Sequence, residues 1–174
     1  MRGRVVGVMG PGAGATAADC ELAGALGRAI ATAGWAVLTG GRPSGVMAAV
    51  NRGAKQAGGM TIGILPGRDR TLADPNVEVV INTDLGYGRN NINVLSSDAI
   101  VACGMGLGTA SEVALALKNG KAVILLGCNP KAIAFFQQYG GVQLQIAATV
   151  AEAIAQLRTL LVPSMEPLDE ELDG

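Results

Sequence analysis

A chain of 174 residues, 49% hydrophobic and only 16% charged, has enough apolar material for one buried core and too little polarity to stay disordered. Its formal net charge of −1, with Arg and Lys scattered, excludes duplex DNA and an anionic membrane as primary partners, since both require a concentrated basic face. The absence of histidine removes Ser-His-Asp and Cys-His catalysis, His-ligated zinc and a neutral-pH imidazole base in one step.

Aromatic residues are 3% of the chain, so Val, Ile, Leu and Ala must build the core. Cys20, Cys103 and Cys128 have no metal-like spacing, and no ligated metal is expected. Their odd number, without a charged and apolar leader, suits a reducing cytoplasm. No run approaches the ~18 apolar residues of a membrane span.

The first predicted strand is Arg4 to Met9, RVVGVM, running into Gly10-Pro11-Gly12-Ala13-Gly14-Ala15-Thr16. A helix follows from about Ala17 to Ala33, with Thr16 as N-cap, Asp19 suiting the dipole and Gly34 closing it. Gly10, Gly12 and Gly14 approximate a dinucleotide fingerprint but lack its full spacing. No acidic residue ends the next strand, Trp35 to Thr39, to grip a ribose. A conventional NAD site is therefore rejected.

Gly40-Gly41-Arg42-Pro43-Ser44-Gly45 is a second glycine loop, leading into a helix over Val46 to Ala57. Pro43 suits a helix start and Ser44 suits a cap. Arg42 is either a solvated charge or an anion clamp, and its glycine neighbours favour the clamp. Met60 to Leu65 is a third strand, the polar stretch Arg68 to Pro75 reads as a mobile loop, and Val77 to Ile81 is a short strand. Arg89 and Asn90 then open a helix that ends near Ser97. A lone cation at a helix start opposes the macrodipole, so an anion contact explains Arg89 best.

Asp98 to Cys103 is a buried strand, followed by Gly104-Met105-Gly106-Leu107-Gly108-Thr109 and an apolar-periodic helix through Lys118. Another buried strand, Ala122 to Leu126, completes a βαβ unit. Such a glycine loop lets an anion approach the unpaired amides of a helix N-terminus. Alone that signal is weak, but the device occurs three times. Glu112, in the first turns of this helix, either serves the dipole or faces a ligand. A segment toward Lys131 to Tyr139, a strand over Val142 to Ile146, and a helix over Thr149 to Leu161 follow. Thr149 and Glu152 are spelled as a capping box.

The alternation predicts one α/β domain over residues 1–162, an open parallel sheet with helices on both faces, and an acidic flexible tail over 163–174. The loops at Gly10–Thr16, Gly40–Met47, Gly86–Asn91 and Gly104–Glu112 all follow strands, so they open on one sheet edge and converge on a pocket.

GGRPSGVMAAVNRGA, GGMTIGILPG and GRNNINVLSSDAIVACGMGLGTASEVALALKNGKAVI, in this order, closely resemble the Rossmann-like superfamily of molybdenum-cofactor carrier proteins and Lonely Guy phosphoribohydrolases, the latter often labelled lysine decarboxylases. The hydrolase branch reads P-G-G-x-G-T-x-E-E. Here the proline is absent, Met105 replaces a glycine and Ser111 stands at the first Glu. Glu112 matches the second, and Arg89 aligns with the hydrolase arginine. Thr109-Ala110-Ser111-Glu112 looks like the carrier branch. The resemblance implies binding and carriage of a phosphorylated pterin, the molybdenum cofactor, without catalysis. It implies a homo-oligomer, dimer or tetramer, with molybdoenzymes as recipients. The alternative it carries is a nucleoside 5′-monophosphate phosphoribohydrolase using Arg89 and Glu112. A single-strand DNA module is disfavoured for want of a basic stripe or stacking platform.

Overall fold

The computed structural model describes residues 3–161; the expected tail lies outside them. Seven short apolar runs form the strands β1 (Val5–Met9), β2 (Ala36–Thr39), β3 (Thr61–Leu65), β4 (Val79–Asn82), β5 (Ala99–Cys103), β6 (Ala122–Leu126) and β7 (Leu144–Ala147). All pair in parallel, in the order β4-β3-β2-β1-β5-β6-β7. The α/β expectation is borne out, with strand ends shifted by one or two residues from those read in the sequence.

The helices are α1 (Ala17–Thr32), α2 (Gly45–Gln56), α3 (Arg89–Leu95), α4 (Leu107–Lys118), α5 (Pro130–Gly140) and α6 (Val150–Leu161). The apolar sides of α1, α2 and α6 cover one sheet face through Leu26, Val50 and Leu157. Those of α3, α4 and α5 cover the other through Val94, Val113 and Phe136. β5 is buried throughout, which is why its run lacks polar alternation. It pairs with β1, Val6 facing Ala99 and Met9 facing Ala102. Strand order switches between these two, so their loops leave to opposite faces and open a crevice between them.

Glycine lets α1 and α2 touch backbone to backbone. A Cβ on Gly27 would stand 2.1 Å from the Val50 carbonyl oxygen, and one on Gly53 would stand 2.1 Å from that of Gly24. No side chain can yield there, so Gly53→Ala is expected to cost about 2 kcal/mol or more through forced helix separation. Urea denaturation measures it; an unchanged midpoint would show that the helices slide apart freely.

The caps follow the sequence in part. At α1 the Thr16 hydroxyl accepts from the Asp19 amide at 3.1 Å, and Asp19 Oδ2 accepts from the Thr16 amide at 2.9 Å, a complete capping box. At α6 the Thr149 hydroxyl accepts from the Glu152 amide, but Glu152 reaches past the cap to the Ala148 amide. At α2 the expected cap is absent. Ser44 occupies the N-cap position with no side-chain bond, and Pro43 lies outside the helix. The polar stretch after β3 is also more tied down than expected. Buried Asp74 donates its amide to the Gly41 carbonyl at 2.8 Å, and Arg68 pairs with Asp84.

Candidate functional site

At the carboxyl edge, where β1 and β5 part, a pocket of about 210 Å3 opens between the loops. Gly10 and Gly12 bring the β1 loop to it. Gly40 and Arg42 bring the β2 loop, Arg89 and Asn90 the start of α3, and Gly108, Thr109 and Glu112 the first turns of α4. These nine sequence-predicted residues come together. Gly14, Gly41, Ser44, Gly45, Gly104, Gly106 and Leu107 do not line the pocket.

The reasons are local. Gly104 has φ +73°, donates its amide to the Leu126 carbonyl at 3.0 Å, and leaves room for the Asp19 carboxylate. Gly45 has φ +53°, and a Cβ there would stand 2.1 Å from the Gly12 carbonyl oxygen. The Val46 amide, in the first turn of α2, donates to the Pro11 carbonyl at 3.0 Å. The β1 loop thus closes onto the second glycine loop, and the threefold cradle read from sequence is a correction: α2 spends a first-turn amide on the chain's own carbonyl. At α4 the cap is Gly106, which has no side chain to accept from the helix. The Leu107, Gly108 and Thr109 amides have no intrahelical partner. Gly108 and Thr109 face the pocket, whereas the Leu107 side chain is exposed.

Arg89 is the first residue of a seven-residue helix that follows the 3₁₀ turn Gly86–Gly88, with no side-chain cap. Its Nε and Nη1 are buried and have no hydrogen-bond partner among the described residues. Desolvation draws the guanidinium below its ordinary pKa; the Glu112 carboxylate opposes this and the Arg42 charge adds to it. Glu112 is buried too. Burial lifts its carboxyl above the usual range, against partial opposition from the Asn93 hydrogen bond and from Arg89. Asn93 Nδ2 donates to Glu112 Oε1 at 2.8 Å. The Thr109 hydroxyl is also buried and, among the described residues, unpartnered. Orphaned donors around a cavity, two cations and one carboxylate make a place for an anion with several acceptor oxygens.

Sequence reasoning missed Asn93, Met9, Met47 and Tyr87. The last three line the pocket. Asn93 was findable: it stands four residues after Arg89, on the same face of α3. Ser111 accepts from Asn90 Nδ2 at 2.9 Å and donates to the Gly108 carbonyl at 2.7 Å, so it braces the loop. Cys103 and Cys128 are held as thiols. Burial, with lesser help from Asp19, pushes the Cys103 thiol to about 12, and burial pushes Cys128 to about 11.

Such a crevice on an all-parallel sheet defines a Rossmann-like α/β protein with its site at the topological switch point. The chain belongs to the SLOG cluster4 family, whose model matches residues 3–154. Among solved structures it is similar to the molybdenum cofactor binding protein from the phototrophic bacterium Rippkaea orientalis, at 49% identity and TM-score 0.90, covering 92% of this chain and 98% of that one. The molybdenum cofactor carrier protein from Chlamydomonas reinhardtii stands at 50% identity and TM-score 0.88, covering 92% and 99%. A cytokinin riboside 5′-monophosphate phosphoribohydrolase of Mycobacterium tuberculosis is 35% identical over 122 residues, 69% of this chain and 63% of the enzyme. The resemblance to carrier proteins, within a superfamily shared with the phosphoribohydrolases, is thus borne out. DNA processing protein A of Helicobacter pylori, at 16% identity and TM-score 0.70, shares the fold alone.

Proposed function

We propose that the protein binds and carries the molybdenum cofactor as cargo, without catalysis, and holds its phosphate in the switch-point pocket. The observation that carries this reading is Arg89, whose Nε and Nη1 are buried near Thr109 and the start of α4 with no hydrogen-bond partner among the described residues. A phosphate offers the acceptors those donors lack. The half-identical carrier protein from Chlamydomonas reinhardtii supports the choice of cargo. Several other residues read from sequence act by shape: Gly10 and Gly45 let the first two loops meet, and Gly104 and Gly106 set the entry to α4.

Equilibrium titration with the isolated cofactor tests the proposal. Saturable one-to-one binding is expected; its absence would end the carrier reading. Gly40→Ala is a sharper probe, because the added Cβ would stand 2.0 Å from Arg89 Nη1. A flexible side chain can yield, so thermal stability should change little while the guanidinium leaves its place. Cofactor affinity should fall about tenfold, the order of one charge-assisted hydrogen bond.

Glu112 favours a second reading, a phosphoribohydrolase acting on nucleoside 5′-monophosphates, since a buried carboxyl beside a cation suits N-glycoside cleavage. Release of free base from AMP or isopentenyladenosine monophosphate, abolished by Glu112→Gln, would put it first. We read the protein as a cytoplasmic homo-oligomer, dimer or tetramer, that passes its cargo to molybdoenzymes. An apolar cleft of about 420 Å3 lined by Leu117, Phe135, Phe136 and Tyr139 supports self-association. Native mass spectrometry checks it.

A further inference from the structure

Beside the switch-point pocket lies a second compartment of about 110 Å3, lined by Arg42, Pro66, Gly86, Tyr87 and Arg89. Arg42, Tyr87 and Arg89 line both, so the two are neighbours. Together they reach roughly the 300 Å3 at which small-molecule sites begin.

Their linings differ in kind. The larger is lined by Thr109, whose hydroxyl is unpartnered among the described residues, and by Gly108 at the start of α4. The smaller is lined by a phenol, a pyrrolidine and two guanidinium groups, with Gly86 contributing no side chain. Tyr87 is 95% exposed, a large aromatic surface left in water at the mouth of a pocket. Its loop is held in shape by the Arg68–Asp84 ion pair, with Asp84 at φ +56° and Gly86 at φ +53°. Among the described residues Arg42 makes no ion pair, so its guanidinium is free to lie on a ring.

We propose that this compartment is a slot for a planar heteroaromatic ring, stacked on Tyr87 and faced by the Arg42 guanidinium, while the phosphate of the same molecule sits at Arg89 and α4. Tyr and Arg faces both stack on flat, polarised ring systems. The ligand class is therefore a phosphate ester of a bicyclic heteroaromatic, a pterin or a purine, as against an aliphatic sugar phosphate. This rests on the cargo reading for the phosphate end, and it adds the residue that selects the other end.

The test titrates the full-length protein and its Tyr87→Ala and Tyr87→Phe variants with the molybdenum cofactor, AMP and ribose 5-phosphate. Tyr87 is exposed, so both variants should melt with the wild type. Tyr87→Ala is expected to weaken the cofactor 10- to 100-fold, the range for losing one stacked ring. Tyr87→Phe should stay within about twofold of wild type, and ribose 5-phosphate should bind all three alike. Proton NMR should show ring-current shifts on the bound ligand's ring protons that Tyr87→Ala abolishes. Unchanged cofactor and AMP affinity in Tyr87→Ala would overturn the slot, as would an equal loss for ribose 5-phosphate. If the wild type ignores the cofactor but binds AMP with the same Tyr87 dependence, the slot stands and the cargo reading falls.

Discussion

Arg89→Met is expected to abolish cargo binding while leaving the protein as stable as the wild type or more so. Most substitutions at a half-buried cation destabilise by stranding its partner. Here no hydrogen bond or ion pair among the described residues is broken: Nε and Nη1 are already unbonded inside the protein, desolvation outweighs the attraction of Glu112, and the Glu112 carboxyl, already lifted by burial, protonates more readily once the charge is gone. Each buried donor left unsatisfied costs on the order of 1–3 kcal/mol, so replacing the guanidinium with an unbranched apolar chain should gain about 1 kcal/mol. The same donors, bonded to a phosphate, form charge-assisted hydrogen bonds of about 1.5–3 kcal/mol each, so their loss should weaken the cofactor at least about 100-fold. Urea denaturation and titration on one preparation check both halves. Lower stability with unchanged affinity would mean that Arg89 is a structural residue.

Glu112→Gln should raise stability at neutral pH and tighten anion binding. The buried carboxyl has its folded pKa above its ordinary 4.5. Such a group favours the folded state while protonated, and that contribution is lost as pH rises from the unfolded value through the folded one. The glutamine keeps an acceptor for Asn93 Nδ2 and removes the charge. The variant's urea midpoint should therefore exceed that of the wild type at pH 7, and the two should converge below about pH 4, where both side chains are neutral. Without a carboxylate beside Arg89, inorganic phosphate should bind about tenfold tighter at pH 7, a modest Coulomb effect at short range. A variant that is weaker on both counts would show the carboxylate to be a positive contributor, through an unmade bond to Arg89 or as a reacting group.

Both predictions turn on residues the sequence offered in different degrees. Arg89 stood out because a lone cation at a helix start contradicts the dipole, a conflict that local chemistry leaves unresolved. Glu112 stood between two roles, dipole partner or ligand contact, and the structure corrects the first: it sits in the second turn of α4, whose first turn holds no acid. Its burial and its bond to Asn93 join residues 19 apart in the chain, and no local pattern announces that. Tyr87 has no periodic partner and gave no signal. Only its position over the second compartment gives it a role to test.

The order of strands and helices, the parallel sheet and the edge on which the loops open were determined by the sequence alone. The spacing of apolar runs, the glycines that end helices and the Thr16–Asp19 cap act over a few residues, where covalent geometry and hydrogen bonding decide locally. Which glycine loop still has amides to offer was decided only by the tertiary structure. Pro11 meets Val46, and Leu126 meets Gly104, because the folded sheet delivers those carbonyls. An amide's availability depends on every acceptor within 3 Å of it, and the chain brings those acceptors from far along its length.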